Sequence, residues 1–370
     1  MSRPRLDQKF WTQFAKKTWE KKTLALKQID SSLLLIDAAQ IFTLLVRYGD
    51  RCRKTKTLDG LKLYLDGERQ YSDEVLELLP RKRDGSLEGY HNRMNEMFAD
   101  YCLVCDELLQ LDLELWRELL TFTNSLHQHV GLPNRFSEIG LYLGNYKKTP
   151  FGVHVDNCGV FSFPIAGTKR FRIWTPEFVK KHPALMRAHR YDRFKKASEL
   201  IIASPGDMTY WPSSAWHIAE SDGSFTATWS LGVWVDQPFE NTAIETLTPV
   251  IGKKLKGIGH QVTTTLTVPP ASDGAVQMLP DLHLKAISAI KELSTDELHD
   301  AFLRSWTIHN SKQGFKTVPK KSASAMLKLN SDIQLQSPIP ILWSHLKTES
   351  RTLFALSGTV VDEKTSLSFL

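Results

Sequence analysis

The chain has 370 residues, of which 42% are hydrophobic and 24% are charged. This composition is typical of a globular protein with one large domain and one or two smaller ones. No apolar run approaches the roughly 20 residues of a membrane span. The N-terminus lacks the apolar core of a signal peptide, so we expect a cytoplasmic protein without a membrane segment.

The net charge is +6 and the isoelectric point is about 9.0. Such a charge suits an acidic or nucleic-acid partner, but it says nothing about chemistry. Most of the basic residues are scattered, and no basic stripe interleaved with aromatic residues is visible. Nucleic acid is therefore not directly indicated as a partner.

The N-terminal region, up to Val130, has mainly helical patterns. Residues 8–20 predict a helix with aromatic anchors, residues 23–27 a short strand, and Asp37 the start of a second helix. The segment Arg51–Gly60 is interpreted as a polar loop. Helical periodicity then returns over residues 88–130.

Two motifs in residues 88–130 are candidate metal ligands. Cys102 and Cys105 lie in the helical pattern, and no second pair completes a zinc site, so we interpret them as packing residues. His127 and His129 are a rival pair. Residues two apart on a helix do not face each other, which disfavours a shared ion.

Residues 138–235 have a β-rich pattern. A hairpin through Gly167 and Thr168 is predicted to join two strands, and a strand runs from Phe225 to Trp234. Between strands lies a basic and polar segment, residues 180–196. We call it the basic insertion, and it is a candidate lid.

Beyond Pro238 the β pattern stops. Helices are predicted at residues 240–258, 282–290 and 295–306, with a linker at 268–274 and a capping box from Ser294 to Glu297. Short strands are predicted at residues 333–336, 339–346 and 352–361. The amphipathic region Leu282–Trp306 predicts a homodimer through the C-terminal helices.

A three-residue metal site is predicted inside the β-rich part. Side chains two apart on a strand share a face, so His154 and Asp156 can hold one ion. A third candidate ligand, His217, lies further along the chain. It is preceded in sequence by the turn residues Gly206-Asp207 and by the rigid Pro212. Two histidines and one carboxylate form the facial triad of non-haem Fe(II) oxygenases.

These motifs resemble the JmjC, cupin-like family of Fe(II)/2-oxoglutarate oxygenases, especially its ribosomal-oxygenase branch, which hydroxylates proteins. His154-x-Asp156 is similar to the proximal metal motif, and Gly206-Asp207 with His217 to the distal one. Gly167–Trp174 resembles the strand that carries the basic residue for 2-oxoglutarate. The aromatic residues of the N-terminal helix also match, although Thr23 replaces a usual proline.

The resemblance implies a mainly β core with α additions. It implies a double-stranded β-helix (cupin or jelly-roll) barrel, an N-terminal helical region and a C-terminal helical plus winged-helix-like region. The corresponding domains would be residues 1–130, contributing edge strands to the core, 131–240 and 241–370. It also implies Fe(II), 2-oxoglutarate as cosubstrate and O2, with hydroxylation of a side chain in a protein or peptide substrate.

Lys169 is the candidate anchor for the far carboxylate of 2-oxoglutarate. Alternation after the turn places Lys169 on the apolar face of its strand with Phe171 and Ile173. A buried ammonium needs an anion, which the cosubstrate or a nearby Asp or Glu could supply. Arg170 is the alternative if the register slips by one residue.

Three further residues are candidates for the cosubstrate site. Tyr142, on the preceding strand, matches a family tyrosine that hydrogen-bonds the same carboxylate, with a half-buried strand aromatic as the alternative. Ser230 and Asn145 could each add a hydrogen bond. Cys158 lies two residues beyond Asp156 and is a candidate oxidation-sensitive thiol.

Two other classes of protein remain open. One is a cupin-type metalloenzyme acting on a small molecule, either a natural-product hydroxylase or an isomerase that uses no 2-oxoglutarate. The other is a non-catalytic cupin binding protein, which the intact triad disfavours. The identity of the substrate lies beyond the sequence, since the extra regions suggest a macromolecule only by analogy of fold.

Overall fold

The computed structural model describes residues 4–30, 36–58, 60–106, 108, 112–236, 238–256, 282–316, 318–319 and 341–361. The predicted linker at 268–274 and strand at 333–336 lie outside these residues. The chain divides into two compact units, Met1–Asp236 with Lys312–Pro338, and Gln237–Ser311 with Ile339–Leu370. The division into three domains stays a prediction.

The first unit begins with two capped helices. Helix α1 (Gln8–Lys17) buries Trp11 and Phe14, and the Asp7 carboxylate accepts a hydrogen bond from the Phe10 amide. Strand β1 (Leu24–Leu26) follows. Helix α2 (Ala38–Thr55) begins at the predicted Asp37, which forms a capping box.

The predicted loop at Arg51–Gly60 is wrong over its first half, because α2 continues to Thr55. Cys52 lies one turn after Tyr48 on the buried face of the helix. The exposed arginines and lysines around it are good helix formers, which a reading by polarity alone mistakes for a loop.

Strands alternate with helices in the described part of residues 61–130. They are β2 (Leu61–Leu65), β3 (Glu68–Gln70), α3 (Val75–Leu78), α4 (Leu87–Met97), β4 (Tyr101–Asp106) and α5 (Leu113–Val130). The prediction of helix over 88–130 is wrong at β4, where residues 101–105 are all buried. A short apolar run of this kind does not distinguish a central strand from a buried helix by periodicity. Cys102 and Cys105 are both buried there, as packing residues are.

Two antiparallel sheets form the β-rich part. The remaining strands are β5 (Phe136–Gly144), β6 (Gly159–Ala166), β7 (Lys169–Trp174), β8 (Glu199–Ala203), β9 (Met208–Trp211), β10 (Trp216–Glu220) and β11 (Thr226–Trp234). The larger sheet has the order β1-β9-β6-β11-β5-β4-β2-β3, and the smaller one β10-β7-β8. The fold is thus mainly antiparallel sheet with helices, similar to a cupin barrel.

The predicted hairpin at Gly167 is wrong. Strand β6 pairs with β9 and β11, whereas β7 pairs with β8 and β10, so the two strands belong to different sheets. Gly167 has a φ of 67°, and a Cβ there would lie 2.3 Å from the Phe225 carbonyl oxygen. The same turn residues serve a hairpin or a corner between sheets, and only the pairing partners distinguish them.

The basic insertion is compact. It begins at the end of helix α6 (Pro176–Lys181) and consists mainly of short 3-10 turns. Its apolar side chains Leu185, Tyr191 and Phe194 are buried in one cluster with Trp174 and Ile218. Its role as a lid stays a prediction.

The second unit contains three helices and one sheet in its described part. They are α7 (Phe239–Leu255), α8 (Leu282–Lys291), α9 (Thr295–Ser311), β12 (Leu342–Leu346), β13 (Arg351–Leu356) and β14 (Thr359–Val361). The predicted capping box is confirmed, since Ser294 and Glu297 exchange hydrogen bonds of 2.9 and 3.1 Å. The three strands form an antiparallel sheet against α9. Its likeness to a winged helix stays a prediction.

No helix in the described part of the chain is both long enough and apolar enough to cross a membrane.

Candidate metal centre

Backbone pairing brings the two predicted histidine ligands together. The amide of His154 donates to the carbonyl of His217 at 3.0 Å, and the amide of His217 donates back at 2.8 Å. His217 lies in β10. A strand was also expected around His154, but there the backbone forms this isolated bridge instead. The ring centroids lie 4.4 Å apart, so residues distant in sequence present their side chains side by side.

Asp156 completes the cluster. Its Oδ1 lies 3.3 Å from Nε2 of His154, and its Oδ2 lies 3.3 Å from Nε2 of His217. One ligand atom from each residue lies within 4.8 Å of the others. Among the described residues, this is the group of His, Cys, Asp and Glu side chains that could hold a metal ion.

Hydrogen bonds orient both imidazoles for metal binding. Nδ1 of His154 lies 2.9 Å from the Gly152 carbonyl oxygen, and Nδ1 of His217 lies 3.1 Å from that of Ala215. A carbonyl only accepts, so each Nδ1 carries the proton. Each Nε2 faces Asp156, and a metal ion would replace the hydrogen bond between them, while the Nδ1 contact orients the ring as in histidine ligands of metals. The residues present therefore fit a divalent metal.

The charge state of the cluster also suits a cation. Burial alone would raise the pKa of Asp156, but hydrogen bonds from His154 and His217 outweigh burial and hold that pKa well below its usual range. Burial lowers the pKa of His154, yet the hydrogen bond to Asp156 outweighs it and raises the pKa overall. Asp156 is thus a permanent carboxylate, as a metal ligand must be.

A cavity of about 240 Å³ opens on this cluster, and Lys169 lies in its wall. The side chains of Lys169, Phe171 and Ile173 are buried, whereas Arg170 is exposed. The alternation predicted for β7 is therefore the one observed.

Lys169 is surrounded by neutral groups. Its Nζ donates to the Tyr146 hydroxyl, lies 4.0 Å from the centre of that ring and lies 3.5 Å from the Thr226 hydroxyl. No carboxylate of the described residues forms an ion pair with it. Burial lowers the pKa of Lys169 to about 7. An anion entering the cavity would therefore find a cation without a charged partner.

The other predicted cosubstrate residues divide into two groups. Tyr142 and Ser230 line the same cavity, and the Ser230 hydroxyl donates to that of Ser162 at 3.0 Å. Cys158 also lines it and is buried. Asn145 does not line it.

The Asn145 amide is occupied by structural hydrogen bonds. Its Oδ1 accepts from the Tyr101 amide at 2.9 Å, and its Nδ2 donates to Asn95 at 3.0 Å and to the Ala99 carbonyl at 3.1 Å. The expectation that Asn145 serves the cosubstrate is therefore corrected, because it ties the α4–β4 connection to the end of β5.

Two residues at the site escaped sequence analysis. Tyr146 follows the end of β5, where Gly144 has a φ of 152° and the alternation used for Tyr142 stops. Glu20 lies near the start of the chain, too far from His217 in sequence for any spacing argument.

Glu20 supports the distal ligand through a turn. Its carboxylate accepts hydrogen bonds from the Ser213 amide at 3.1 Å and from the Tyr210 hydroxyl at 3.0 Å. The Ser213 hydroxyl donates to it as well. This turn contains the Ala215 carbonyl that orients His217, so the N-terminal segment helps to position this candidate ligand.

The rival histidine pair forms no site. His127 is buried in α5, neither of its ring nitrogens has a hydrogen-bond partner among the described residues, and burial lowers its pKa to about 4. His129 instead bonds Thr12 and the Ser125 carbonyl.

Comparison with known proteins agrees with this geometry. Residues 118–239 match the family model of the JmjC domain. This segment is a JmjC domain. It contains the whole metal cluster and Lys169.

Two curated relatives match a similar length of chain. Both are named bifunctional lysine-specific demethylase and histidyl-hydroxylase NO66. The one from Drosophila erecta is 27% identical over 117 residues, which are 31% of this chain. The one from Drosophila simulans is 30% identical over 122 residues, or 32% of this chain. The matches cover only 18% and 14% of the relatives' own lengths.

Among solved structures, the chain is similar to the Escherichia coli ribosomal oxygenase YcfD, with 14% identity and a TM-score of 0.49 over 95% of this chain and 85% of that one. A second structure of YcfD, with cobalt and 2-oxoglutarate, has a TM-score of 0.48 at 14% identity over the same shares.

Proposed function

We propose that the protein is an Fe(II)- and 2-oxoglutarate-dependent dioxygenase that hydroxylates a side chain of a protein or peptide. One observation carries the proposal. Within a JmjC domain, a His-Asp-His cluster and a buried lysine without an anionic partner among the described residues face the same cavity. The cluster suits Fe(II), and the lysine suits a carboxylate of the cosubstrate.

Each residue has a defined role in this proposal. His154, Asp156 and His217 hold the iron, with Nδ1 of each histidine fixed by a backbone carbonyl. Lys169 binds the far carboxylate of 2-oxoglutarate, and Tyr142 and Ser230 can add hydrogen bonds from the same wall. Bound Fe(II) and 2-oxoglutarate supply oxidising chemistry, in which O2 converts the cosubstrate to succinate and CO2 and hydroxylates a C–H bond.

The cavity wall excludes water from the reacting atoms. Phe151, Phe171 and Trp211 line it beside the metal ligands, and apolar contacts of this kind keep bulk water from an oxidising centre. Charged residues also line the cavity, including the ion pair between Lys62 and Asp106 at 2.7 Å.

The relatives support a protein substrate. Their names refer to lysine and histidine, both amino-acid side chains. We extend this to the present chain as a proposal, since the match covers only its JmjC domain. The proposed domains are residues 1–130, 131–240 and 241–370, with the last region as a candidate recognition surface.

An assay of succinate formation tests the proposal. The full chain is incubated with Fe(II), ascorbate and 2-oxoglutarate, and succinate is measured with and without peptides from a digested lysate. We expect turnover of the cosubstrate and a peptide product heavier by one oxygen atom. A cupin isomerase would form its product without consuming 2-oxoglutarate, and a binding protein would form no succinate, so either result would contradict the proposal.

We also propose a homodimer through the C-terminal helices. Leu284, Ile287 and Ile290 on α8 are 55%, 45% and 53% exposed, at spacings that place them on one helix face. Light scattering should give twice the chain mass of 42.2 kDa, and Ile287→Glu should shift the protein towards monomer. A monomeric wild type at working concentration would end this proposal.

A further inference from the structure

The excess positive charge of the whole chain lies in the basic insertion. Residues 180–196 contain seven Lys and Arg residues and a single acid, Asp192. Outside them, the chain has 40 basic and 40 acidic residues, given its totals of 47 and 41. This one short segment therefore accounts for the net charge of +6.

Most of these charges face solvent without an ion-pair partner. Within the insertion, only Lys195 forms an ion pair among the described residues, with Asp192 at 2.8 Å. The exposed cations are Lys180, Lys181, Arg187, Arg190, Arg193 and Lys196. Unpaired cations concentrated in one segment create a positive potential that attracts polyanions.

The cations are held in place rather than spread along a loose loop. The side chains of Leu185, Tyr191 and Phe194 are buried in a hydrophobic cluster and fix the segment to the rest of the fold. The Trp174 indole donates to the Phe194 carbonyl at 3.0 Å. Because the segment is already ordered, binding a ligand costs less conformational entropy.

The basic insertion adjoins the metal site. The Arg187 amide donates to the Val153 carbonyl at 2.8 Å, and the Val153 amide donates to the Ala188 carbonyl at 3.0 Å. Lys148 extends the surface, because its Nζ donates to the His189 carbonyl at 2.7 Å. A ligand on this surface would lie next to the segment that carries His154.

An aromatic pair, Phe178 and His182, lies at the N-terminal end of the basic insertion. The His182 ring is exposed and its centroid is 4.4 Å from that of the partly buried Phe178. Lys180 and Lys181 lie on the same short helical turn. Aromatic and histidine rings beside cations are the elements on which proteins stack unpaired bases.

We propose that the basic insertion binds single-stranded RNA beside the catalytic site. Its cations would contact phosphates, and the His182–Phe178 pair would stack an unpaired base. The helical turns in and beside the basic insertion span at most six residues and are too short to read a duplex groove. An acidic peptide would satisfy the charges but would leave the ring pair without a stacking partner.

Fluorescence anisotropy with a labelled single-stranded RNA of about 20 nucleotides tests this proposal. The test variant is Lys180→Gln/Arg190→Gln/Lys196→Gln, at three exposed cations for which the described residues provide no ion pair. The matched control is Lys9→Gln/Lys17→Gln/Lys22→Gln, which removes the same charge from exposed lysines of the N-terminal segment. None of the six contacts the proposed catalytic site, so succinate formation and thermal stability should be unchanged in both.

We expect the test variant to bind RNA at least about tenfold more weakly than wild type, with a salt slope reduced by about 2, since each phosphate contact contributes ~0.7. The control variant should bind like wild type. His182→Ala should weaken binding several-fold with the same salt slope. Equal affinity of the two triple variants would overturn the proposal. So would a polyglutamate probe that binds wild type as tightly as RNA, because that would identify an acidic peptide as the partner.

Discussion

His217→Ala is expected to abolish turnover and to weaken metal binding by more than about 100-fold. The substitution removes one of three protein ligands, and loss of a group that merely orients a ligand already costs roughly 10- to 100-fold in metal affinity. It also leaves the ionised Asp156 with one partner fewer inside a partly buried cluster. Anaerobic titration with Fe(II) measures the affinity, and succinate formation measures turnover.

His129→Ala is the matched control. His129 lies on α5 and bonds Thr12 and Ser125 rather than the metal cluster. Its loss should therefore leave metal affinity and turnover as in wild type. Full activity in His217→Ala would disprove its assignment as the distal ligand.

Lys169→Ala is expected to raise the 2-oxoglutarate concentration for half-maximal succinate formation by about ten- to a hundredfold. A charge-assisted contact to a carboxylate in a closed site is worth roughly 1.5–3 kcal/mol. No carboxylate of the described residues pairs with Lys169, so the loss should fall on the cosubstrate. Lys169→Met, which keeps most of the side-chain volume, separates loss of charge from creation of a cavity.

Arg170→Ala is the control for this prediction. Arg170 is adjacent in sequence but exposed on the other face of β7, so its loss should leave the requirement for 2-oxoglutarate unchanged. The opposite pattern, with a loss in Arg170→Ala alone, would show that the anchor is not Lys169.

The titration of Lys169 supplies an independent readout. Burial lowers its pKa to about 7 in the free protein, and a bound carboxylate would raise that pKa. Below pH 7 the ammonium is already present, and its titration does not affect binding. Above pH 7 binding must take up a proton, so affinity should fall by up to about tenfold per pH unit until the pKa of the complex is reached.

Calorimetry between pH 6 and 9 would measure this dependence. Lys169→Arg should remove it, because a guanidinium stays charged throughout that range. A flat profile in wild type would contradict a role for Lys169 in binding an anion.

Local sequence patterns predicted several features correctly. The helix start at Asp37 and the capping box at Ser294 depend on residues close in sequence, and both form. The alternation of β7 depends on neighbours along one strand, and it placed Lys169 inside and Arg170 outside. Such features depend on contacts within a few residues, which the sequence contains in full.

Patterns that depend on a partner were less reliable. Residues 101–105 were interpreted as helix because a short apolar run fits either element, and only the flanking strands β2 and β5 make it a strand. The turn at Gly167 is compatible with either a β-hairpin or a corner between two sheets. The pairing of β6 with β9 and of β7 with β8, both distant in sequence, makes it a corner between two sheets.

The sequence by itself determined which residues could bind a metal, because His154, Asp156 and His217 have the chemistry of a facial triad. The tertiary structure decided that they meet, through the hydrogen bonds that pair His154 with His217. It also decided what surrounds Lys169 and separated Asn145 from the cavity. The physical reason is that ligand chemistry belongs to single side chains, whereas proximity, burial and an absent counter-charge belong to segments packed together from distant parts of the chain.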